Sequence, residues 1–259
     1  MIKFSIITVT YNAEACIEVT LKSVKQQSYP LVEHIIVDGG SKDQTLAIVD
    51  RYKSEQMRVI SEPDKGLYDA MNKGIGLATG DYLCFLNAGD TFHELATLEK
   101  IIKHTPPAQS ATPSNLEGEV KERKKLPDII YGETAIVDGN RQFLRKRRLQ
   151  APEQLNWKSF KQGMLVCHQA FFIKHSLAEP YDLQYRYSSD FDWCIRMMKK
   201  ADVIHNTHLI LIDYLEEGMT TRNRRASLFE RLHIMAKHYG WLSTVAMHLW
   251  FVIRLLIKR

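Results

Sequence analysis

Three apolar strands that each stop at a polar turn constrain this chain more than any other feature. The first, residues 2–10, ends in Thr8-Val9-Thr10-Tyr11-Asn12. The second, Ile35-Ile36-Val37, runs into Asp38-Gly39-Gly40-Ser41-Lys42-Asp43-Gln44-Thr45. The third, Tyr82-Leu83-Cys84-Phe85-Leu86, runs into Asn87-Ala88-Gly89-Asp90. Helical spacings separate them: Ala13, Cys16, Ile17, Leu21 and Val24 share one face of a helix predicted over 13–27. Further helices are predicted over 43–53 and 67–78, with a short strand at 57–61 between them. Strands alternating with short helices predict an α/β fold, with a mostly parallel central sheet flanked by helices and joined by right-handed crossovers. Ligands of such open sheets sit beyond the carboxyl ends of the strands. The three turns therefore describe the rim of one crevice suited to a nucleotide-like ligand.

Beyond a helix predicted over 94–104, residues 105–127 are rich in Pro, Ser, Gln, Glu and Lys and nearly lack large apolar groups, which predicts a mobile surface insertion. Strands are predicted at 128–137 and 141–145 around Asp138-Gly139-Asn140, then a helix over 152–160, an apolar segment at 164–174, a helix over 189–200 and a weakly alternating strand at 203–215. The last 35 residues are expected to be helical. This divides the chain into a domain over 1–215 and a C-terminal extension over 216–259.

At 259 residues and 45% hydrophobic composition, one sizeable core is expected. The net charge of +5 is local, concentrated in 121–125, 145–148, 222–225 and the last six residues. Such runs are solvated faces or suit phosphates and anionic lipid. Without a recognition motif beside them, they do not point to nucleic acid. Cys16, Cys84, Cys167 and Cys194 show no C-x-x-C spacing and read as reduced thiols of a cytoplasmic protein. The first nine residues begin a strand and carry no cleavage site, so no signal peptide is expected.

Several side chains could carry chemistry. Asp38, followed by two glycines, either accepts hydrogen bonds from a base or ribose or belongs to a tight turn in which Ser41 or Asp43 caps the next helix. Asp69, Asn72 and Lys73 share a helical face, which either lines the crevice or is merely solvated. Asp90 and Asn87 offer hard oxygen ligands suited to Mg²⁺ or Mn²⁺ held jointly with nucleotide phosphates. Asp190 and Asp192 open a helix, where a carboxylate either satisfies the helix N-terminus or acts as a general base. His168 is either a hydrogen-bonded structural residue or part of an acceptor site. Arg222, Arg224 and Arg225 follow Gly218-Met219-Thr220-Thr221, a loop that could fold over a diphosphate or simply lead into the last helices.

In their order, these pieces resemble the family 2 glycosyltransferases of the GT-A fold. The resemblance is carried by Thr10-Tyr11-Asn12, Asp38-Gly39-Gly40-Ser41-x-Asp43-x-Thr45, Glu62-x-Asp64-x-Gly66-x-x-Asp69-Ala70-x-Asn72, Gly80-Asp81-Tyr82 through Asn87-Ala88-Gly89-Asp90, and Asp190 with Arg196. It covers roughly residues 1–215 and is most specific over 1–95. Ile130-Tyr131-Gly132-Glu133 and His168-Gln169 look like segments of bacterial exopolysaccharide and colanic-acid-type transferases. The resemblance implies inverting transfer of one sugar from a nucleotide-diphosphate sugar, with a UDP-sugar expected, to a hydroxyl of a glycan or lipid-linked saccharide. It implies nucleotide-sugar contacts from Thr10, Tyr11, Asn12, Asp38, Gly39, Ser41, Glu62, Asp69, Asn72, Asn87 and Arg222, a metal on Asp90, and Asp190 as the base. Two positions depart from the family pattern: Asn87 and Gly89 stand where carboxylates are usual, and Ser189-Asp190 replaces a Glu-Asp pair. The Gln-x-x-Arg-Trp motif of processive synthases is absent, which implies single additions.

Residues 241–257 are apolar but include His248 and Arg254, and they fall short of the roughly 20 residues of a membrane span. With Trp241, Trp250 and terminal basic residues, they are expected to form an amphipathic helix on the inner face of the cell membrane, where a polyprenyl-diphosphate-linked acceptor would be found, or else a core or dimer helix. Two further readings compete: a nucleotidyltransferase, disfavoured because Tyr11-Asn12-Ala13 is not a Gly-rich basic loop, and a catalytically impaired sugar-nucleotide-binding homologue.

Overall fold

The computed structural model describes residues 1–105, 126–216 and 223–257. The predicted insertion at 105–127 falls almost wholly outside them. The elements are β1 (Phe4–Thr10), α1 (Ile17–Lys25), β2 (Val32–Asp38), α2 (Thr45–Arg51), β3 (Met57–Ser61), α3 (Leu67–Leu77), β4 (Tyr82–Phe85), β5 (Thr91–Phe92), α4 (Thr97–His104), β6 (Ile129–Val137), β7 (Phe143–Lys146), β8 (Phe171–Lys174), α5 (Ser189–Lys200), β9 (Ile204–Leu215), α6 (Arg224–Tyr239) and α7 (Trp241–Ile257). The strands form one sheet in the order β3-β2-β1-β4-β8-β6-β9-β5, with β7 on β6. Strands β1, β2, β3, β4, β6 and β9 run one way, and β5, β7 and β8 run the other.

Register makes the rim. Thr10 lies opposite Asp38, and Asp38 opposite Ser61, so β1, β2 and β3 end level. Because β8 is antiparallel to β4 and β6, its N-terminal approach reaches the edge where its neighbours end. That reversal brings the 3-10 turn His168–Ala170 to the rim.

β1 is buried along its whole length. Its alternating side chains feed two layers: Ile7 and Val9 pack with α3, α5 and α6, whereas Phe4 and Ile6 pack with Val24, Leu98 and Ile101. On the α5 side, the Trp193 ring stacks on Tyr181 at 4.8 Å and meets Phe85 edge-on. Gly74 lets α3 approach β1, because a Cβ there would lie 2.4 Å from Ile7 Cγ2.

Some predicted elements shrink for identifiable reasons. The helix expected at 152–160 is a 3-10 turn over Trp157–Gln162. Asn156 caps it by accepting the Lys158 N–H, and Gly163 ends it at φ 108°. The weak alternation of 203–215 reflects an irregularity in which Thr207 Oγ1 donates to the Tyr131 carbonyl and His208 adopts φ 58°. Gly240, at φ 81°, divides the C-terminal helical region into α6 and α7.

Candidate active site

The turns after β1 and β2 are stitched together by their own polar groups. Asp38 is fully buried. Its Oδ2 accepts from the Gly40 N–H at 3.0 Å, the Ser41 N–H at 2.9 Å and Ser61 Oγ at 2.6 Å, while Ser41 Oγ donates to Oδ1. Asn12, at φ 47°, donates its N–H to Ser41 Oγ and accepts the Lys42 N–H on its side chain. The Asp38 carboxylate thus shapes the turn from below. Above it, the Tyr11 ring is 62% exposed, and Gly39 leaves backbone open beneath that ring: a Cβ there would come within 2.4 Å of Asp64 Oδ2 and 3.3 Å of Tyr11 Cδ2. Thr10 Oγ1 is buried without a hydrogen-bond partner.

The next wall comes from the start of α3. Lys73 Nζ lies 2.8 Å from Glu62 and 3.9 Å from Asp69, and Asp69 accepts the Lys65 N–H at 3.0 Å. The helical spacing of Asp69 and Lys73 was legible; Asn72 takes a different partner. Its carboxamide donates to the Tyr181 carbonyl at 3.0 Å and accepts the Tyr181 N–H at 2.6 Å, tying α3 to the chain ahead of α5.

At the end of β4, Gly89 takes φ 98° and Arg141 donates to its carbonyl at 2.6 Å. Asp90 is 4% exposed. Gln169 Nε2 donates to its Oδ2 at 2.9 Å and the Leu215 N–H to its Oδ1 at 3.0 Å. Burial pushes its carboxyl up to about 6, against the pull of those two donors and of His168 and Arg141. Asn87 Oδ1 is buried with no partner. Among the described residues, no group of three or more His, Cys, Asp or Glu side chains converges on a metal-sized site.

Asp190 stands in the first turn of α5. Tyr68 Oη donates to its Oδ1 at 3.0 Å, as does the Phe191 N–H at 2.9 Å, and His168 Nδ1 lies 3.4 Å from its Oδ2. Burial alone would raise its carboxyl. The hydrogen bond and charge of His168, the charge of Arg231 and the Tyr68 hydroxyl outweigh burial and hold it below its ordinary value. The other ring nitrogen of His168, Nε2, is buried and unpartnered.

The fold thus gathers Thr10, Tyr11, Asn12, Asp38, Gly39 and Ser41 at one part of the rim, and Asp90, Asn87, His168 and Asp190 at another. Glu62 and Asp69 join through Lys73, and Arg222 lies outside the described residues. Sequence reasoning missed Tyr68 and the clamp made by Gln169. Tyr68 carried no signal, because a tyrosine on an apolar helix face reads as core. Gln169 adjoined His168 but had no identifiable partner until Asp90 was placed.

Against known proteins, the sequence profile described as Glycosyl transferase family 2 matches residues 5–179. This chain belongs to that family. The family 2 chain is 32% identical over 226 residues to a PGL/p-HBAD biosynthesis glycosyltransferase of Mycobacterium tuberculosis, covering 83% of this chain and 77% of that one. It is 33% identical over 211 residues to the amylovoran biosynthesis glycosyltransferase AmsB of Erwinia amylovora, covering 76% and 64%. In fold it is similar to S. aureus TarS 1–349 in complex with UDP, with TM-score 0.65 and 17% identity, over 90% of this chain and 64% of that one. It is also similar to the mannosyltransferase PcManGT of Pyrobaculum calidifontis in complex with GDP-Man and Mn²⁺, with TM-score 0.62 and 15% identity, over 96% and 70%. The family 2 glycosyltransferase therefore has the GT-A fold, and its curated relatives include transferases of polysaccharide biosynthesis.

Proposed function

We propose that this transferase moves one sugar, with inversion, from a nucleotide-diphosphate sugar, most simply a UDP-sugar, to a hydroxyl of a glycan or lipid-linked saccharide in cell-surface polysaccharide synthesis. The observation that carries the reading is the Asp190 carboxylate, held ionised by Tyr68 and His168 at the rim where Asp90 also stands. In this mechanism Asp190 takes the proton of the acceptor hydroxyl as that oxygen attacks the anomeric carbon. The bond from that carbon to the nucleotide diphosphate breaks on the opposite face, and the diphosphate leaves with the electron pair. Tyr11 and Gly39 would bracket the base. Asp38 and Ser41 would hold the turn in shape, and Glu62 and Asp69 would line the donor side.

One buried carboxylate with a lone pair left on each oxygen, plus the unpartnered Asn87 Oδ1, fits a divalent cation bound jointly with a diphosphate, not one held by protein alone. Asp90 and Asn87 would hold that ion, and it would neutralise charge on the departing diphosphate. The bound UDP of TarS and the GDP-Man and Mn²⁺ of PcManGT support this donor chemistry.

The catalytic domain would span 1–215, with 216–259 as an appendage facing a membrane. Among the described residues no helix is long and apolar enough to cross a membrane. However, α7 exposes Trp241, Leu242, Val245, Leu249, Trp250 and Ile253. A helix with such a face suits the inner surface of the cell membrane.

The test is a screen of UDP- and GDP-sugars for nucleotide release, with and without Mn²⁺, using an extract of lipid-linked saccharides as acceptor. One donor should support turnover. Asp190→Asn should lower kcat by about 10²- to 10⁴-fold while leaving donor affinity by calorimetry unchanged. Full turnover in Asp190→Asn would remove Asp190 as the base.

A further inference from the structure

The turn that carries Asp90 is gripped by the hairpin between β6 and β7. Asp138 shapes that hairpin. Its Oδ1 accepts the N–H groups of Asn140 at 2.9 Å and Gln142 at 2.8 Å, and its carbonyl accepts the Arg141 N–H at 3.0 Å. Arg141 takes φ 65°, in the left-handed region that residues other than glycine rarely adopt. Such a conformation persists only where its surroundings over-determine it. From it, the side chain reaches across to the end of β4: Nη1 donates to the Gly89 carbonyl at 2.6 Å and Nη2 donates to Thr91 Oγ1. Gly89 and Thr91 stand on either side of Asp90. One guanidinium therefore holds both flanks of the candidate metal ligand.

The same turn is held from within the fold. Thr20, fully buried on α1, accepts the Gly89 N–H at 2.9 Å and donates to the Asp90 carbonyl at 2.8 Å. The Asp90 N–H donates to the Asn87 carbonyl at 3.0 Å. Gln169 and Leu215 hold the Asp90 carboxylate itself, whereas Thr20 and Arg141 hold the backbone that carries it. Position 89 is unsuited to a second carboxylate. Its φ of 98° strains any side chain, and a Cβ there would stand 3.0 Å from Leu215 Cδ2 and 3.6 Å from Cys16. A turn with one carboxylate depends on the aim of that one. Two acceptors on separate residues suit the planar fork of an arginine, which a lysine ammonium does not reproduce.

We infer that Arg141 is a positioning residue for the cation and diphosphate: by latching Gly89 and Thr91, it fixes the direction in which Asp90 presents its carboxylate. The inference rests on the proposed joint binding of a divalent cation by Asp90, Asn87 and the donor diphosphate. It makes the β6–β7 hairpin a support of the site, although neither of its strands ends at the nucleotide turns.

Binding alone tests this, without turnover. Mn²⁺ is titrated into the full chain with UDP, or with GDP where the wild type binds that instead, and the free ion is read by its EPR signal. Arg141→Gln should weaken Mn²⁺ binding by about 10- to 100-fold while nucleotide affinity without metal stays at the wild-type value. Arg141→Lys separates aim from charge. It keeps the cation but loses the fork, so it should weaken Mn²⁺ binding about as much as Arg141→Gln. Wild-type Mn²⁺ affinity in either folded variant overturns the inference. An equal fall in metal-free nucleotide affinity overturns it as well, because that would report a generally damaged site. Thr91→Val removes one acceptor of the latch and should give a smaller loss in the same direction. It keeps the inference testable where neither arginine variant folds, and unchanged Mn²⁺ affinity there would also overturn it. A wild-type chain that holds Mn²⁺ no tighter with nucleotide than without it would instead sink the joint cation site, and the inference with it.

Discussion

Asp190 and Asp192 stand two residues apart at the start of one helix, and the fold gives them different surroundings. Asp190 keeps its side chain 14% exposed beside a histidine with a free, buried nitrogen. Asp192 has no exposure and is surrounded by His238, Arg196 and Lys237. Burial would raise the Asp192 carboxyl, but the His238 and Arg196 hydrogen bonds and the nearby positive charges pull it down to about 2 from an ordinary 3.8. A carboxyl depressed on folding contributes stability that is fully present above its unfolded value. Here that contribution is lost as pH falls from about 4 through about 2. Urea midpoints measured between pH 5 and pH 2 should fall in the wild type, and the fall should be shallower in Asp192→Asn. An equally steep fall in that variant would assign the acid sensitivity to other groups. In the sequence both aspartates fitted either role, because an acidic first turn is favourable whatever else it does.

Among the elements, α3 shows how a short helix can be both wall and core. Its polar face carries Asp69 and Lys73 to the rim, while Tyr68, Met71 and Gly74 turn inward. The close approach to β1 depends on Gly74. Gly74→Ala should force its Cβ against Ile7 and destabilise the fold by about 1–3 kcal/mol, read as a lower urea midpoint. Unchanged stability would mean that β1 yields. The periodicity of 67–78 made this helix legible and nearly fixed its ends. It did not reveal that Asn72 binds Tyr181, because a side chain's sequence-distant partner leaves no trace in local spacing. The 3-10 turn at Trp157–Gln162 was misjudged as a helix for a similar reason: its limits come from the Asn156 cap and the Gly163 conformation.

In the whole molecule, the site is assembled from both ends of the chain. β1 and β2 supply the proposed nucleotide side, the end of β4 leads to Asp90, the approach to β8 supplies His168, and α6 braces α5. The same helix pair ends in the exposed apolar stripe of α7, where Leu242 is 91% exposed. Leu242→Glu combined with Leu249→Glu should lower co-sedimentation with anionic lipid vesicles; undiminished binding would place membrane contact elsewhere. Sequence alone determined the βα alternation and the positions of the polar turns, since strand and helix periods and Gly- or Asp-rich turns are local properties. It also marked Asp38, Asp90 and Asp190 as the residues to watch. Tertiary structure decided what surrounds each. Reversal of β8 placed His168 beside Asp190, the Leu215 and Gln169 donors enclosed Asp90, and Glu230 and Ser227 of α6 braced the chain that enters α5. Those are contacts between residues distant in the chain, and only the packed sheet and its helices bring their charges and hydrogen bonds within range.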